Sequence, residues 1–465
     1  MMNPLRHSRR TFLKNTVKCV TAFAVPATLA LSVRDSRPNE MKSAFPQTVE
    51  SMGLYNIRIS REQALEDLDI LEYLLNTAYS GIEMARKRGV IFTGCIDKVR
   101  AAIRSADSVN TVEFFQAIVE TLEEIRDFHL VFSLSSFDRR HVFCKHRYAC
   151  FADVIVGDLQ KDRRCTVLFS SHPGLNRGVS IRPPEDSLFP TLPDIHGERF
   201  LIGKMSDGIV EKIPIEVEKK TIDLPVHRCR MGETGTENAL WSACRIGDVE
   251  LVRCHRLTSF SDNEHMRLRA LADYGKTLRV ARTIVLDLRD NSGGDSSIAA
   301  EFIRNLNDFG ESHLRYRKLD SLPSRLSELT MRGLSGQAFS AQREACLRDD
   351  RTAWREGPAI GKQKGSYKGR LILLTNAQTA SSAEIFVKIC RESVSDCTVI
   401  GENTKGCLNT GDTRYFFLPH ALIFINIPTA EFVDVFEEGV GFLPDLWLDG
   451  NEPVSAIMEW ISQKI

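Results

Sequence analysis

Two adjacent serines, Ser381 and Ser382, stand where an apolar stretch gives way to a helical pattern. Residues 369–375 predict a buried strand, and the apolar spacing that follows Ala383 predicts a helix. At a helix start the first N–H groups have no intrahelical partner, and the helix dipole favours negative charge there. A carbonyl attacked by Ser381 would therefore form an oxyanion that the N–H of Ser382 can bind.

A helix cap is the other explanation for these serines, because serine is a favoured N-cap residue. Three further segments bear on the choice. Asp290–Gly294 follows a predicted strand, and adjacent glycines let a backbone approach a ligand with its N–H groups directed at an anion. His129 stands beside Asp127, and Glu438 precedes a glycine in a turn where a carboxylate could orient a histidine. Each segment alone also fits an ordinary turn or surface histidine.

The order of these segments along the chain resembles that of one enzyme family. The segments are Asp127-Phe-His129, Asp287 to Gly294, Thr379-Ala-Ser-Ser-Ala-Glu384, Gly401-Glu-Asn-Thr404 and Glu438 to Asp445. Over roughly residues 60–448 the chain is similar to the C-terminal processing (tail-specific) serine peptidases, and most closely to their tricorn-like branch. The insertions at 150–245 and 310–368 are unmatched. The resemblance implies a crotonase/ClpP-like α/β core and the hydrolysis of peptide bonds.

The resemblance also implies a role for each matching residue. Ser381 corresponds to the nucleophile, because the family's serine stands three residues before the glutamate that is here Glu384. The backbone N–H groups of Gly293 and Ser382 would then form the oxyanion hole, with Gly294 in support.

The general base implied by the resemblance is His129, and Glu438, seven residues before Asp445, matches the acid that orients it. The tail-specific branch instead uses a lysine in a Gly-Glu-x-Thr-x-Gly-Lys segment. In this chain the lysine position holds Cys407, and Lys405 is displaced by two residues. That displacement moves an amine by several ångströms, since a strand rises about 3.3 Å per residue. We therefore expect His129 to be the base.

A second departure from the family pattern lies at Phe128. Tricorn-like enzymes place a hydroxyl residue before the histidine as a bridge to the acid, and Phe128 has no hydroxyl. Glu438 is therefore expected to reach His129 directly, through Thr404 or through water. The expected chemistry is acyl transfer, in which His129 takes the proton of Ser381 and no metal or cofactor takes part.

An α/β framework must hold these residues in place. Strands alternate with helices through residues 246–465, which predicts a core with a largely parallel sheet, interrupted by a polar excursion at 310–368. Residues 55–135 predict an N-terminal helical domain, and residues 145–245 predict a β-rich insertion. Within that insertion, residues 175–181 weakly resemble a degenerate PDZ-type peptide-binding module.

The N-terminus is interpreted as a targeting segment. Ser8-Arg-Arg-Thr-Phe-Leu-Lys14 precedes a mildly apolar stretch with small residues, which is typical of a twin-arginine signal peptide over residues 1–32. A basic surface helix is the alternative. The signal predicts bacterial export to the periplasm or cell exterior, with no stable membrane anchor after cleavage.

Composition limits the classes of partner. The chain has 465 residues, 43% hydrophobic and 26% charged, and its formal net charge is zero. These values are typical of a globular protein and argue against nucleic acid or an anionic membrane held by bulk charge. The expected partner is a peptide or protein substrate, and a homo-oligomer remains open.

Two other signals carry less weight. His141, Cys144, His146 and Cys150 lie within ten residues but lack the paired spacing of a structural zinc site, so we expect no metal. Cys407 could be a nucleophile only beside a group that stabilises its thiolate, and a buried structural cysteine is the alternative.

Three functional hypotheses follow. The first is an exported serine endopeptidase that works through Ser381 and His129. The second is a catalytically inactive binding protein on the same fold, which Phe128 and the missing lysine would explain. The third is a scaffold in which the β-rich insertion holds a partner protein.

Overall fold

The described chain divides into two compact units, each built from segments that are distant in sequence. We call Met1–Cys144, Leu314–Ala359 and Asn409–Val435 the histidine unit, and Lys145–His313, Ile360–Leu408 and Phe436–Ile465 the serine unit. The computed structural model describes residues 57–134, 140–194, 197–208, 210–228, 239–309, 315–331, 336–349, 351–357, 365–433, 436–448 and 457–461. The expected signal peptide at 1–32 lies outside these residues.

Helices form the first part of the histidine unit. They are α1 (Arg61–Thr77), α2 (Ile82–Lys87), α3 (Phe92–Ala102) and α4 (Thr111–Thr121), with the short strands β1 (Arg58–Ser60) and β2 (Ser108–Asn110) paired antiparallel between them. Ser60 caps α1, because its hydroxyl accepts from the Gln63 N–H at 3.2 Å while the Ser60 N–H donates to the Gln63 side chain. This is a capping box, which fixes where the helix begins.

An antiparallel sheet packs against those helices. Its strands are β3 (Asp127–Leu134), β4 (Arg140–Phe143), β16 (Tyr316–Asp320), β17 (Ala353–Glu356), β20 (Thr410–Leu418) and β21 (Ile423–Phe432), in the order β17-β16-β21-β3-β4 with β20 on β21. Helices α7 (Leu322–Met331) and α8 (Gly336–Arg348) connect β16 to β17. Leu71, Ile118 and Phe132 are buried in the core that helices and sheet share.

The serine unit is organised by a largely parallel sheet. Its strands are β13 (Trp241–Ile246), β14 (Val249–Cys254), β15 (Thr283–Asp287), β18 (Arg370–Thr375), β19 (Asp396–Gly401) and β22 (Leu446–Trp447), hydrogen-bonded in that order. Helices α5 (Asp262–Thr277), α6 (Ser296–Asn307) and α9 (Ser382–Ser393) belong to the same unit. Every residue of β15 is buried, as the continuous apolar run predicts for a central parallel strand.

A separate antiparallel sheet occupies most of residues 148–228 in the serine unit. Its strands are β5 (Tyr148–Gly157), β6 (Cys165–Ser170), β7 (Ser180–Arg182), β8 (Leu188–Asp194), β9 (Gly197–Ser206), β10 (Lys212–Val217), β11 (Lys220–Pro225) and β12 (His227–Arg228). The order is β11-β10-β7-β6-β5-β9-β8, with β12 on β5. Val156, Val167 and Ile215 lie in its own core.

The division of the chain differs from the expectation of one core over 246–465. Strand β16 from the polar excursion pairs with β21, so both belong to the sheet of the histidine unit. The apolar alternation of β20 and β21 predicts strands but does not specify which sheet they join. In the described ranges, no helix combines the length and apolar character needed to cross a membrane.

Candidate active site

Ser381 joins β18 to α9 in a backbone conformation that L-residues rarely adopt. Its φ is 54° and its ψ is −121°, and α9 begins at the next residue. Such a conformation costs on the order of 1–3 kcal/mol and persists only where the surroundings fix it. One fixing contact is the Ser381 N–H, which donates to Glu384 Oε2 at 2.8 Å. Strain held on one serine at a helix start is the kind of feature that clusters at active sites.

The turn before Ser381 is tied to the neighbouring strand. The Thr379 hydroxyl donates to the Leu288 carbonyl just beyond β15 at 2.9 Å, and the Thr379 N–H donates to the Asn376 carbonyl at 2.9 Å. The Ala380 N–H donates to the Asn291 carbonyl at 2.9 Å. The turn that carries the serine is therefore fastened to the loop that carries the glycine pair.

Gly293 and Gly294 lie directly against this turn. A Cβ on Gly293 would meet the Ala380 carbonyl oxygen at 2.8 Å and Ser381 Cβ at 2.9 Å, and a Cβ on Gly294 would meet the Leu257 backbone at 2.2 Å. Both glycines have positive φ, 99° and 137°. The structure thus brings the predicted glycine pair and Ser381 together, and no other residue type fits either position.

The N–H donors near Ser381 are not equally available. The Gly293 N–H donates to Asn291 Oδ1 at 2.9 Å, so it already has an acceptor. The Gly294 and Ser382 N–H groups donate to no acceptor in the described part of the chain. The Ser382 hydroxyl is engaged, since it donates to the Gly294 carbonyl at 2.6 Å. An oxyanion at Gly293 would therefore share that amide with Asn291.

Glu384 is a fully buried carboxylate that joins the serine turn to the loop after β19. Its Oε1 accepts from the Thr404 hydroxyl at 2.6 Å and the Gly406 N–H at 2.8 Å. Its Oε2 accepts from the N–H groups of Ser381 at 2.8 Å and Cys407 at 2.9 Å. Burial raises the pKa of Glu384, and the four hydrogen bonds act in the opposite direction. Because each oxygen already faces two donors, a proton on Glu384 would displace one of these bonds.

The turn with Glu438 packs against the same loop within the serine unit. The Gly439 N–H donates to the Gly406 carbonyl at 2.9 Å, and the Phe442 N–H donates to the Thr404 hydroxyl at 2.7 Å. The Leu408 N–H reaches Glu438 Oε2 at 3.4 Å. Thr404, one of the three routes expected between Glu438 and His129, directs its hydroxyl proton to Glu384.

The backbone of Lys405 is held from two sides. Its N–H donates to the Thr379 carbonyl at 2.8 Å, and His146 Nδ1 donates to its carbonyl at 2.9 Å. Cys407 is buried. His146, one of the four residues considered as a metal ligand, thus contacts the loop beside the serine turn. Within the described residues no group of three or more His, Cys, Asp or Glu side chains is placed to hold a metal ion.

His129 lies on β3 in the histidine unit and is half-buried. Its Nδ1 is 3.5 Å from the Thr410 hydroxyl, and its N–H donates to Asp127 Oδ1 at 2.8 Å. The Tyr79 hydroxyl donates to Asp127 Oδ2 at 2.8 Å. Asp127 is part of the histidine motif in the sequence, whereas Thr410 and Tyr79 were not anticipated, and nothing local in their sequence would single them out.

The predicted site residues thus fall into two groups. Ser381, Ser382, Gly293, Gly294, Thr404 and Glu438 belong to the serine unit, and His129 belongs to the histidine unit. The pairing of His129 with Ser381 stays a prediction, as does the role of Glu438.

Comparisons with known proteins bear on the family. A family profile described as peptidase family S41 matches residues 255–438. No curated protein sequence matches the chain. Among solved structures, mature CPAF complexed with lactacystin is 14% identical, covers 87% of this chain and 98% of that chain, and has a TM-score of 0.47. The photosystem II D1 C-terminal processing protease is 14% identical, covers 84% and 93%, and has a TM-score of 0.38. The tricorn protease is 15% identical, covers 87% and 37%, and has a TM-score of 0.39.

The family match, rather than these structural likenesses, carries the assignment. The matched segment contains Ser381, Gly293 and Glu438, whereas His129 lies ahead of it. The match confirms the resemblance to a serine peptidase family and agrees with the mixed α/β architecture. The match of residues 255–438 to peptidase family S41 indicates a serine-type peptidase.

Proposed function

We propose that this chain is an exported serine endopeptidase that hydrolyses peptide bonds through an acyl-enzyme on Ser381, with His129 as general base. The observation that carries the proposal is the strained Ser381 backbone at the start of α9, packed against Gly293. Strained backbone conformations cluster at functional sites, and this one places the Ser381 hydroxyl beside helix N–H groups that have no intrahelical acceptor.

The proposed reaction has two halves. His129 takes the Ser381 proton as the hydroxyl oxygen attacks the peptide carbonyl, and the tetrahedral oxyanion accepts hydrogen bonds from backbone N–H groups. His129 then gives its proton to the leaving amine, which departs and leaves an ester on Ser381. Water attacks this ester with His129 again as base, and the carboxylic acid product then leaves as His129 returns the proton to the Ser381 oxygen.

The oxyanion hole is proposed at the N–H groups of Gly293 and Ser382. The Ser382 N–H is in the first turn of α9 and has no acceptor in the described chain, which suits this role. The Gly293 N–H would serve by sharing its proton with Asn291 Oδ1, and the Gly294 N–H is the alternative donor next to it. Glu438, which the resemblance matches to the family's acid, is proposed to stabilise the positive charge that forms on His129.

Labelling with a fluorophosphonate tests the nucleophile without knowledge of the substrate. We expect stoichiometric modification of the wild type and none of Ser381→Ala, read by intact mass. Ser382→Ala is the matched control, because the adjacent serine hydroxyl is engaged by the Gly294 carbonyl. It should still be labelled at Ser381. Labelling of Ser381→Ala at the wild-type rate would remove the proposed nucleophile.

Substrate class and compartment complete the proposal. The substrate is a peptide or protein, in keeping with the peptidase family. Export is inferred from Arg9 and Arg10 and the apolar stretch after them. Changing both arginines to lysine should leave unprocessed protein in the cytoplasm of a bacterial host, whereas unchanged export of this variant would contradict a twin-arginine route.

A further inference from the structure

Strand β3 is irregular at the point where it carries His129. The pairing of β3 with β4 runs from Asp127 opposite Phe143 to Val131 opposite Val142, so three residues of β3 have no counterpart. The His129 and Leu130 N–H groups donate to Asp127 Oδ1 instead, at 2.8 and 3.3 Å. A bulge of this kind changes the direction of a side chain on the strand. Asp127 therefore fixes the backbone that presents the imidazole.

The same carboxylate also reaches the imidazole through a hydroxyl. Asp127 is 2% exposed. Thr410 Oγ1 lies 2.8 Å from Asp127 Oδ1, 3.0 Å from Oδ2 and 3.5 Å from His129 Nδ1. A hydroxyl has one proton, and a carboxylate can only accept. The Thr410 proton therefore points to Asp127, which leaves a lone pair of Oγ1 to accept from His129 Nδ1–H.

We propose that Asp127, acting through the Thr410 hydroxyl, is the positioning group that keeps His129 in its Nδ1–H tautomer, in which Nε2 is unprotonated and can act as the base. This inference rests on the proposed role of His129. When Nε2 takes the serine proton, Nδ1 keeps its own, and the positive charge formed on the ring is stabilised by the Asp127 carboxylate through the oriented hydroxyl. The Thr410 hydroxyl stands in for the bridge that Phe128 cannot provide.

Tautomer spectroscopy on the resting protein tests this chain of contacts without a substrate. Histidine-selective ¹⁵N labelling with NMR at pH 8, above the usual imidazole pKa of about 6.5, distinguishes Nδ1–H from Nε2–H. The His129 signal is assigned by its loss in His129→Gln. We expect the Nδ1–H form in the wild type and in Thr410→Ser, which retains the hydroxyl.

Asp127→Asn gives the sharpest outcome because it reverses the direction of the hydrogen bonds. The new amide N–H would donate to Thr410 Oγ1, whose proton would turn to His129 Nδ1 and favour the Nε2–H form. Tyr79→Phe is the matched control, since it removes another hydroxyl bond to Asp127 while leaving the path to His129. An Nε2–H form in the wild type, or the same tautomer in Asp127→Asn, would overturn the proposal.

Labelling rates separate this inference from the proposed function. Thr410→Val should slow phosphonylation of Ser381 by roughly tenfold or more, while Thr410→Ser stays within about twofold of the wild type. Thr413→Val, on the same strand, controls for loss of a threonine hydroxyl and should match the wild type. If His129→Gln is labelled as fast as the wild type, the proposed function fails, although the tautomer result would stand.

Discussion

In each unit a buried carboxylate lies beside a candidate site residue, and the two carboxylates accept hydrogen bonds from different kinds of group. Glu384, in the serine unit, accepts from three backbone N–H groups and one hydroxyl that itself belongs to a loop. Asp127, in the histidine unit, accepts from two backbone N–H groups and from the hydroxyls of Tyr79 and Thr410. The first set of contacts fixes a main chain, and the second also reaches a side chain that titrates.

This difference suggests two ways of preparing a residue for catalysis. The serine side depends on backbone geometry, because a strained φ and two glycines set the position of Ser381 and its N–H neighbours. In the proposed mechanism the histidine side depends on the tautomer and orientation of the imidazole, since an imidazole acts as a base only through its unprotonated nitrogen. Replacing Glu384 should therefore disturb the backbone geometry around Ser381, whereas replacing Asp127 should also change which nitrogen of His129 is protonated.

The largest effect on stability is expected from Glu384→Gln. The amide keeps two acceptor sites but turns two donors toward N–H groups that need an acceptor, which costs about 2–4 kcal/mol of the free energy of unfolding. Release of the Ser381 N–H should also slow fluorophosphonate labelling by about 10- to 100-fold. Urea unfolding and labelling kinetics measure the two quantities.

Glu392→Gln is the matched control for that variant. Glu392 is on the same helix and forms a half-buried ion pair with Lys388 at 2.7 Å. Its removal should change the free energy of unfolding by less than about 1 kcal/mol and leave labelling unchanged. Equal effects of the two substitutions would contradict a special role for Glu384.

Another buried carboxylate, Asp67, should make the stability of the protein depend on pH. It accepts from the Ala421 N–H at 2.7 Å and the His420 N–H at 3.3 Å, and burial raises its pKa to about 6. Between the ordinary aspartate pKa and 6 the folded state then binds more protons than the unfolded state, so stability falls as pH rises through this window. The fall at pH 7 should reach about 3 kcal/mol at most.

Asp67→Asn should remove this component of the pH dependence. Urea unfolding at pH 4.5 and pH 7 should show a smaller loss of stability in the variant than in the wild type. Asp69→Asn, exposed on the same helix, should behave as the wild type does. A wild type whose stability rises steadily across that window, in parallel with Asp67→Asn, would show that burial does not dominate at Asp67.

The smallest effect concerns the strain at Ser381. Ser381→Ala keeps a side chain at φ 54°, whereas Ser381→Gly removes the steric conflict. Glycine should therefore be more stable than alanine at this position by about 1 kcal/mol, after the greater entropy of its unfolded chain is included. Thermal unfolding of the two inactive variants measures the difference, and an alanine variant that is the more stable would argue against strain.

Much of the framework could be predicted because local patterns determine it. The change from a buried apolar run to helical spacing places Ser381 between β18 and α9, and the capping box at Ser60 marks the start of α1. The glycine pair was expected to let the backbone approach a ligand, and the structure places Gly293 directly against Ala380 and Ser381. These features depend on residues that are near one another in sequence or of a type that only one conformation accepts.

Contacts between distant segments could not be predicted in the same way. Thr410 is an ordinary strand threonine in sequence, and its relation to Asp127 depends on how β20, β21 and β3 pair. The hydroxyl of Thr404 was one of three expected links between Glu438 and His129, yet it donates its hydrogen bond to Glu384. A sequence shows which side chains can form hydrogen bonds, but the packing of distant segments determines which acceptor each donor binds.

Comparing the rates of fluorophosphonate labelling at Ser381 in His129→Gln and Lys405→Gln tests whether His129 is the general base. We expect His129→Gln to lose labelling by a factor on the order of 10³ or more, with its thermal unfolding unchanged. Lys405→Gln should keep a rate within about threefold of the wild type, since its backbone rather than its amine is tied to the serine turn. The reverse result, with labelling lost in Lys405→Gln and retained in His129→Gln, would show that His129 is not the general base.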